Sequence, residues 1–159
     1  MTISNELFAS TQGEIVNNGI LTIVGIIKGA GNSSFINNGT IVVNSSSFFT
    51  TTQPSSILSS TSGDIIWNTT SSFKKPSDGY KNVTINQNTS WNEGGSFNVS
   101  GNWTNNAIFT SSTTGDIITF NGSSNQNISG TNNFKRLVFN NSNSSSQLII
   151  SGTLEVEEY

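Results

Sequence analysis

The 159-residue chain contains no cysteine and no histidine. Without cysteine there is no disulfide framework and no thiol chemistry. Without histidine, Ser-His-Asp and Cys-His nucleophilic systems are excluded, as are zinc sites built on those two residues. Charge is scarce too, with Asp, Glu, Lys and Arg at 9% of the residues against about 25% in an average soluble domain. Six residues are basic, the net charge is −3, and basic residues adjoin only at Lys74-Lys75 and Lys135-Arg136. Nucleic-acid binding needs several phosphate-neutralising side chains on one face, so no such partner is expected. No apolar run approaches the roughly 18 residues that span a bilayer. The stretch from Ile15 to Ile27 is broken by Asn17-Asn18-Gly19 and by Gly25, so membrane insertion is not expected. The opening residues show no basic segment followed by a long apolar one, hence no visible secretory signal.

Asn, Ser and Thr fill the space that charge leaves, at on the order of 45% of the chain. Disordered chains are usually rich in Glu, Lys and Pro. Here only two prolines occur, and β-branched residues are plentiful, which favours ordered strands. The length fits one domain with a core along its length.

Repetition is the most informative feature. Ile15-Val16-Asn17-Asn18-Gly19-Ile20-Leu21-Thr22-Ile23 is matched about 20 residues later by Phe35-Ile36-Asn37-Asn38-Gly39-Thr40-Ile41-Val42-Val43. Asn18-Gly19 and Asn38-Gly39 read as turns, because Asn and Gly tolerate positive φ. A longer duplication pairs Gly63-Asp64-Ile65-Ile66 with Gly115-Asp116-Ile117-Ile118. It also pairs Tyr80–Asn86 with Phe134–Asn140, and Phe97–Trp103 with Leu148–Leu154, at offsets of about 51 to 54. Val83 and Ile85, Phe97 and Val99, and Leu148, Ile150, Leu154 and Val156 each fall on one parity, the mark of short strands. The repeat blocks are placed at about 13–44, 63–106 and 115–156 within a single domain spanning 1–159. The Ser/Thr-rich stretch from Asn44 to Ser62 reads as a long loop.

Two all-β architectures compete. Asn-Gly between apolar runs is also a hairpin signal, which supports an antiparallel β-sandwich. Repeats of this length with little charge favour a parallel β-solenoid. There, equivalent residues stack about 4.8 Å apart. Like charges would repel at every level, whereas Asn, Ser and Thr can form hydrogen-bonded ladders.

The stretches Gly115–Gly122, Asn127–Thr131, Phe134–Asn141 and Ile150–Leu154 resemble the β-strand repeats of large secreted surface proteins of Bacteroidota-type bacteria. The resemblance covers Gly115 to Val156 well and Gly63 to Trp103 moderately, and reaches the part before Gly63 only through the Asn-Asn-Gly units. It implies a right-handed parallel β-helix, export to the cell surface, and a role in adhesion or as a stalk. Such proteins are usually longer and carry an export signal and a C-terminal sorting domain, neither of which is visible in this sequence.

The chemistry left open is that of carboxylates, since glycosidases use paired Asp or Glu. The candidates are Asp64, Asp78, Glu93 and Asp116. Asp64 and Asp116 have a simpler reading, in which Gly-Asp opens a strand and the carboxylate accepts from nearby backbone N–H groups. No EF-hand or nonapeptide calcium motif occurs, and no cofactor or metal is expected. Of the three tryptophans, Trp103 shares the parity of Phe97 and Val99 and reads as core, whereas the side taken by Trp67 is open. Trp91 lies in a polar stretch and, with Asn92, is the candidate glycan contact, a ring face beside an amide. The competing reading of Trp91 is a packed loop anchor. The leading expectation is a secreted, non-enzymatic rod, structural or adhesive, partnered by itself, by flanking repeats or by surface glycans. Uncapped coil ends would let such rods add end to end into filaments. A glycan-binding module of an adhesin or phage fibre and a polysaccharide-cleaving β-helix enzyme are the alternatives.

Overall fold

The computed structural model describes residues 1–9, 12–29, 33–46, 62–76 and 78–157. The expected loop between Asn44 and Ser62 falls, from 47 to 61, outside the described residues. The first strands are β1 (Thr2–Ile3), β2 (Glu6–Ala9), β3 (Glu14–Asn17), β4 (Ile20–Ile23), β5 (Ile26–Gly29) and β6 (Ser34–Asn37). Next come β7 (Thr40–Val43), β8 (Asp64–Trp67), β9 (Gly79–Tyr80), β10 (Val83–Ile85), β11 (Thr89–Trp91) and β12 (Ser96–Val99). The last are β13 (Trp103–Ser111), β14 (Ile117–Phe120), β15 (Gln126–Phe134), β16 (Arg136–Phe139) and β17 (Leu148–Val156).

Every pairing among these strands is parallel. The fold is a β-solenoid of about seven turns, and the antiparallel sandwich is excluded. The longest sheet runs β1-β4-β7-β8-β10-β13-β15-β17, and a second runs β16-β14-β12-β9. Strand β13 spans two faces, pairing with β10 through Trp103–Asn105 and with β11 through Phe109–Ser111.

Alternation places one apolar column inside. Leu21, Ile41, Ile65, Val83, Trp103, Ile128 and Ile150 are successive register partners. One coil therefore carries the chain from Ile65 to Val83 where it is shortest, and from Trp103 to Ile128 where it is longest. Phe73 stands at the centre of the aromatic interior, with ring centroids 5.1 Å from Trp67, 5.9 Å from Phe97, 6.0 Å from Trp103 and 5.8 Å from Phe109. Trp67 and Trp103 are both fully buried, which settles the side that Trp67 takes.

The spacing of the two Asn-Asn-Gly units is one coil. Ile15 pairs with Phe35 and Asn17 with Asn37. Neither Gly19 nor Gly39 has a positive φ, and Gly19 has open space around it, so only Gly39 answers a need for close approach. A Cβ on Gly39 would lie 2.1 Å from the Gly19 carbonyl oxygen. Positive φ is used elsewhere, as at Gly130 (86°), where β15 turns against the bulge of β13.

The longer duplication is not a structural equivalence. Asp64–Trp67 belongs to the long sheet, whereas Ile117–Phe120 belongs to the second. Phe97 lies in β12 of the second sheet, whereas its matched partner Leu148 lies in β17 of the long one. The offset of the duplication exceeds two coils by a fraction of a third. It therefore brings one face of the rod onto another. Trp103 accordingly pairs with Ile128, which pairs with Ile150, and Leu154 is not its counterpart.

Candidate functional site

The surface of the rod is organised by side-chain ladders. Asn106 Nδ2 donates to Asn86 Oδ1 at 2.7 Å, Asn86 to Asn68 at 2.7 Å, and Asn68 to Asn44 at 2.8 Å. Each amide donates in the same direction, so the ladder has polarity along the axis. A second ladder begins at Asp64, whose Oδ1 accepts from Asn82 Nδ2 at 2.9 Å and from the Asn82 backbone N–H at 3.2 Å. It continues as Asn82 Oδ1 accepts from the Asn102 N–H, and Asn102 Oδ1 from the Asn127 N–H. Asn38 donates to Asn18 at 2.9 Å. Where charges stand on neighbouring coils they are opposite: Lys28 pairs with Glu6 at 2.5 Å, Lys135 with Glu157 at 2.8 Å, and Lys74 with Glu93. The hydrogen bonds from Lys135 and Asn133 hold the Glu157 carboxyl below its usual range.

The carboxylates singled out in the sequence are separated. Asp64 lies in the ladder of the long sheet. Asp116 is fully buried before β14, its Oδ2 accepting from the Thr113 backbone N–H at 3.0 Å. Gly63 and Gly115, which precede them, answer different needs. A Cβ on Gly63 would meet the Asn37 side chain at 2.2 Å, whereas Gly115 has a φ of 94° and open space around it.

Trp91 requires a correction. It lies in strand β11 rather than in a loop, is 0% exposed, and packs 4.9 Å from the Phe97 ring. Its ring offers no face to a sugar, so the packed reading stands. Asn92 is exposed, and its Oδ1 accepts from Ser72 Oγ at 2.9 Å.

The features with the greatest capacity for association are the two axial ends. Strands β1 and β17 close the long sheet and carry unpaired backbone groups on their outer sides. Nine large hydrophobic residues are exposed among those described. Met1, Phe8, Val16, Ile20 and Val24 belong to the first two coils, and Phe139, Ile149 and Ile150 to the last, leaving Ile108 alone between them. Ile150 continues the buried column and is 47% exposed in the last coil described. Ile3, Leu7 and Ile15 at one end, and Leu137, Leu148 and Leu154 at the other, pack on the core with partial exposure. The sequence expectation did not single out these edges by residue, although the unbroken parity from Leu148 to Val156 was the signal for one of them.

No family model, curated protein or solved structure matches the chain.

Proposed function

We propose that the chain is a non-catalytic rod of an extracellular or cell-surface fibre, structural or adhesive, which lengthens by stacking coil edge on coil edge. The observation that carries this reading is the unbroken parallel stack of coils, braced outside by side-chain ladders and filled inside by apolar columns. At each axial end a strand edge adjoins apolar residues that continue those columns, a surface for a flanking coil or for a second copy. A second copy laid head to tail adds parallel strands to β17 and covers Ile150 and Leu154. Such contacts are heterologous and do not close, so they give filaments. The ladders support stiffness, because side-chain hydrogen bonds join neighbouring coils in addition to the backbone bonds along the axis. The resemblance to secreted β-strand repeats and the sparing use of lysine support an exported location. Asp64 accepts within a side-chain ladder, and Asp116 is fully buried with Oδ2 on the Thr113 N–H, which favours the scaffold over polysaccharide cleavage.

Electron microscopy of the purified chain over a range of concentrations tests this. Filaments that lengthen with concentration, and that are lost in Ile150→Lys, support end-to-end stacking. Discrete short rods at every concentration refute it.

A further inference from the structure

The corner between the second sheet and the long sheet changes in length along the rod. Two residues link β9 to β10 (81–82), three link β12 to β13 (100–102), five link β14 to β15 (121–125), and eight link β16 to β17 (140–147). Short links beside long ones leave a trough of about 410 Å³ along the axis, lined by Ser62, Lys81, Ser100, Asn121, Ser123 and Ser142. These residues come from five successive coils, a length of about 19 Å at the usual strand spacing.

The trough is braced before any ligand enters it. Gln126 is buried behind it, donating through Nε2 to the carbonyls of Val99 (2.9 Å) and Gly101 (2.6 Å). Its Oε1 accepts from the Gly122 N–H at 2.9 Å. Ser142 Oγ donates to the Gly122 carbonyl, and Asn141 to the Ser124 carbonyl. Fixing the walls in this way removes an ordering cost from binding.

The cation in the trough is uncommitted. Lys28, Lys74 and Lys135 are held in ion pairs, and Lys75 reaches the Ser96 carbonyl. Among the described residues Lys81 Nζ has no such partner, and neither does the hydroxyl of Ser100 or Ser123. The wall residue Asn121 has a buried Oδ1 that lacks a donor. One free positive charge beside the hydroxyls of Ser62, Ser100, Ser123 and Ser142, in a trough that runs across five coils, fits a polyhydroxylated strand with an acidic group. It does not fit a nucleic acid, which needs several cations.

We propose that this trough binds a linear acidic polysaccharide, with Lys81 taking the acidic group and the serine hydroxyls taking sugar hydroxyls. The proposal goes beyond the rod reading and does not depend on end-to-end stacking.

Titration calorimetry of the full chain with oligogalacturonate at low salt is the test, with dextran, dextran sulfate and single-stranded DNA as comparison ligands. Oligogalacturonate binds and dextran does not. Lys81→Gln weakens binding about fivefold, while Lys28→Gln, which removes equal charge elsewhere, leaves it unchanged. Ser123→Trp, on an exposed turn, fills the trough and abolishes binding with an unaltered circular dichroism spectrum. Lys81-dependent binding of dextran sulfate in preference to oligogalacturonate supports the trough and identifies the acidic group as sulfate. Absence of binding to either acidic polymer, equal binding of dextran or DNA, or equal losses in the two lysine variants overturns the proposal. Rods still seen by microscopy in that case leave the structural reading intact.

Discussion

Replacing Asn86 by Ala removes the middle rung of an amide ladder. Asn86 Nδ2 donates to Asn68 Oδ1 at 2.7 Å, and Asn86 Oδ1 accepts from Asn106 Nδ2 at 2.7 Å. Alanine makes neither bond, and no reversal of the Asn68 or Asn106 amide restores them. Asn68 is half-buried and Asn106 exposed, so water reaches the groups left behind. Each lost hydrogen bond is worth about 0.5–1.5 kcal/mol, and a deficit of about 2 kcal/mol follows for the two. The substitution introduces no titratable group, so the deficit is the same at pH 7 and pH 3. Urea unfolding followed by tryptophan fluorescence, at both pH values, measures it against the parent chain. At about 2 kcal/mol per molar, the midpoint falls by about 1 M at each pH. Equal midpoints in the two chains refute the view that the ladders hold neighbouring coils together.

Two further outcomes concern the interior. Phe73→Ala opens a cavity at the meeting point of five rings and destabilises the chain by about 3–5 kcal/mol, measured in the same urea titration. Tyr80 is buried, with its hydroxyl donating to the Lys74 carbonyl, and burial, more than the nearby Glu93 charge, raises its ionisation far above the ordinary range. Its contribution to stability is complete below about pH 10, where the unfolded phenol is neutral, and is lost as pH rises by about 1.4 kcal/mol per unit. Tyr80→Phe removes that part of the alkaline slope, and identical slopes in the two chains contradict the burial of the phenol.

The period of one coil was legible where a coil is short and regular. Asn17-Asn18-Gly19 and Asn37-Asn38-Gly39 stand one repeat apart in the sequence and one level apart in space. The parity of Val83 and Ile85, or of Phe97 and Val99, marked their inward faces correctly. The longer offset misled because every face of the rod is built from the same kind of short apolar strand. Gly-Asp-Ile-Ile can therefore open a strand on either sheet. Trp91 was hidden by its surroundings: Thr89-Ser90-Trp91 is a three-residue strand with polar neighbours. Phe73 gave no periodic signal, since it lies outside any strand, yet it centres the ring cluster. The trough was illegible because serine, asparagine and glycine occur throughout the chain. Only the lengthening of successive corner links marks it, and those lengths become visible once the strands are placed.

The parallel, in-register stacking of coils is the claim on which the rest depends, and a chain without cysteine allows a direct test. Thr84 and Thr104 are register partners on the outer face of β10 and β13, about 4.8 Å apart at the usual strand spacing. That separation lies within the range a disulfide bridges. Thr84→Cys with Thr104→Cys closes to an intramolecular disulfide under mild oxidation. Thr84→Cys with Asn106→Cys, two positions farther along the strand and separated by about 8 Å, stays reduced. Closure of the second pair as readily as the first, or of neither, contradicts the solenoid register.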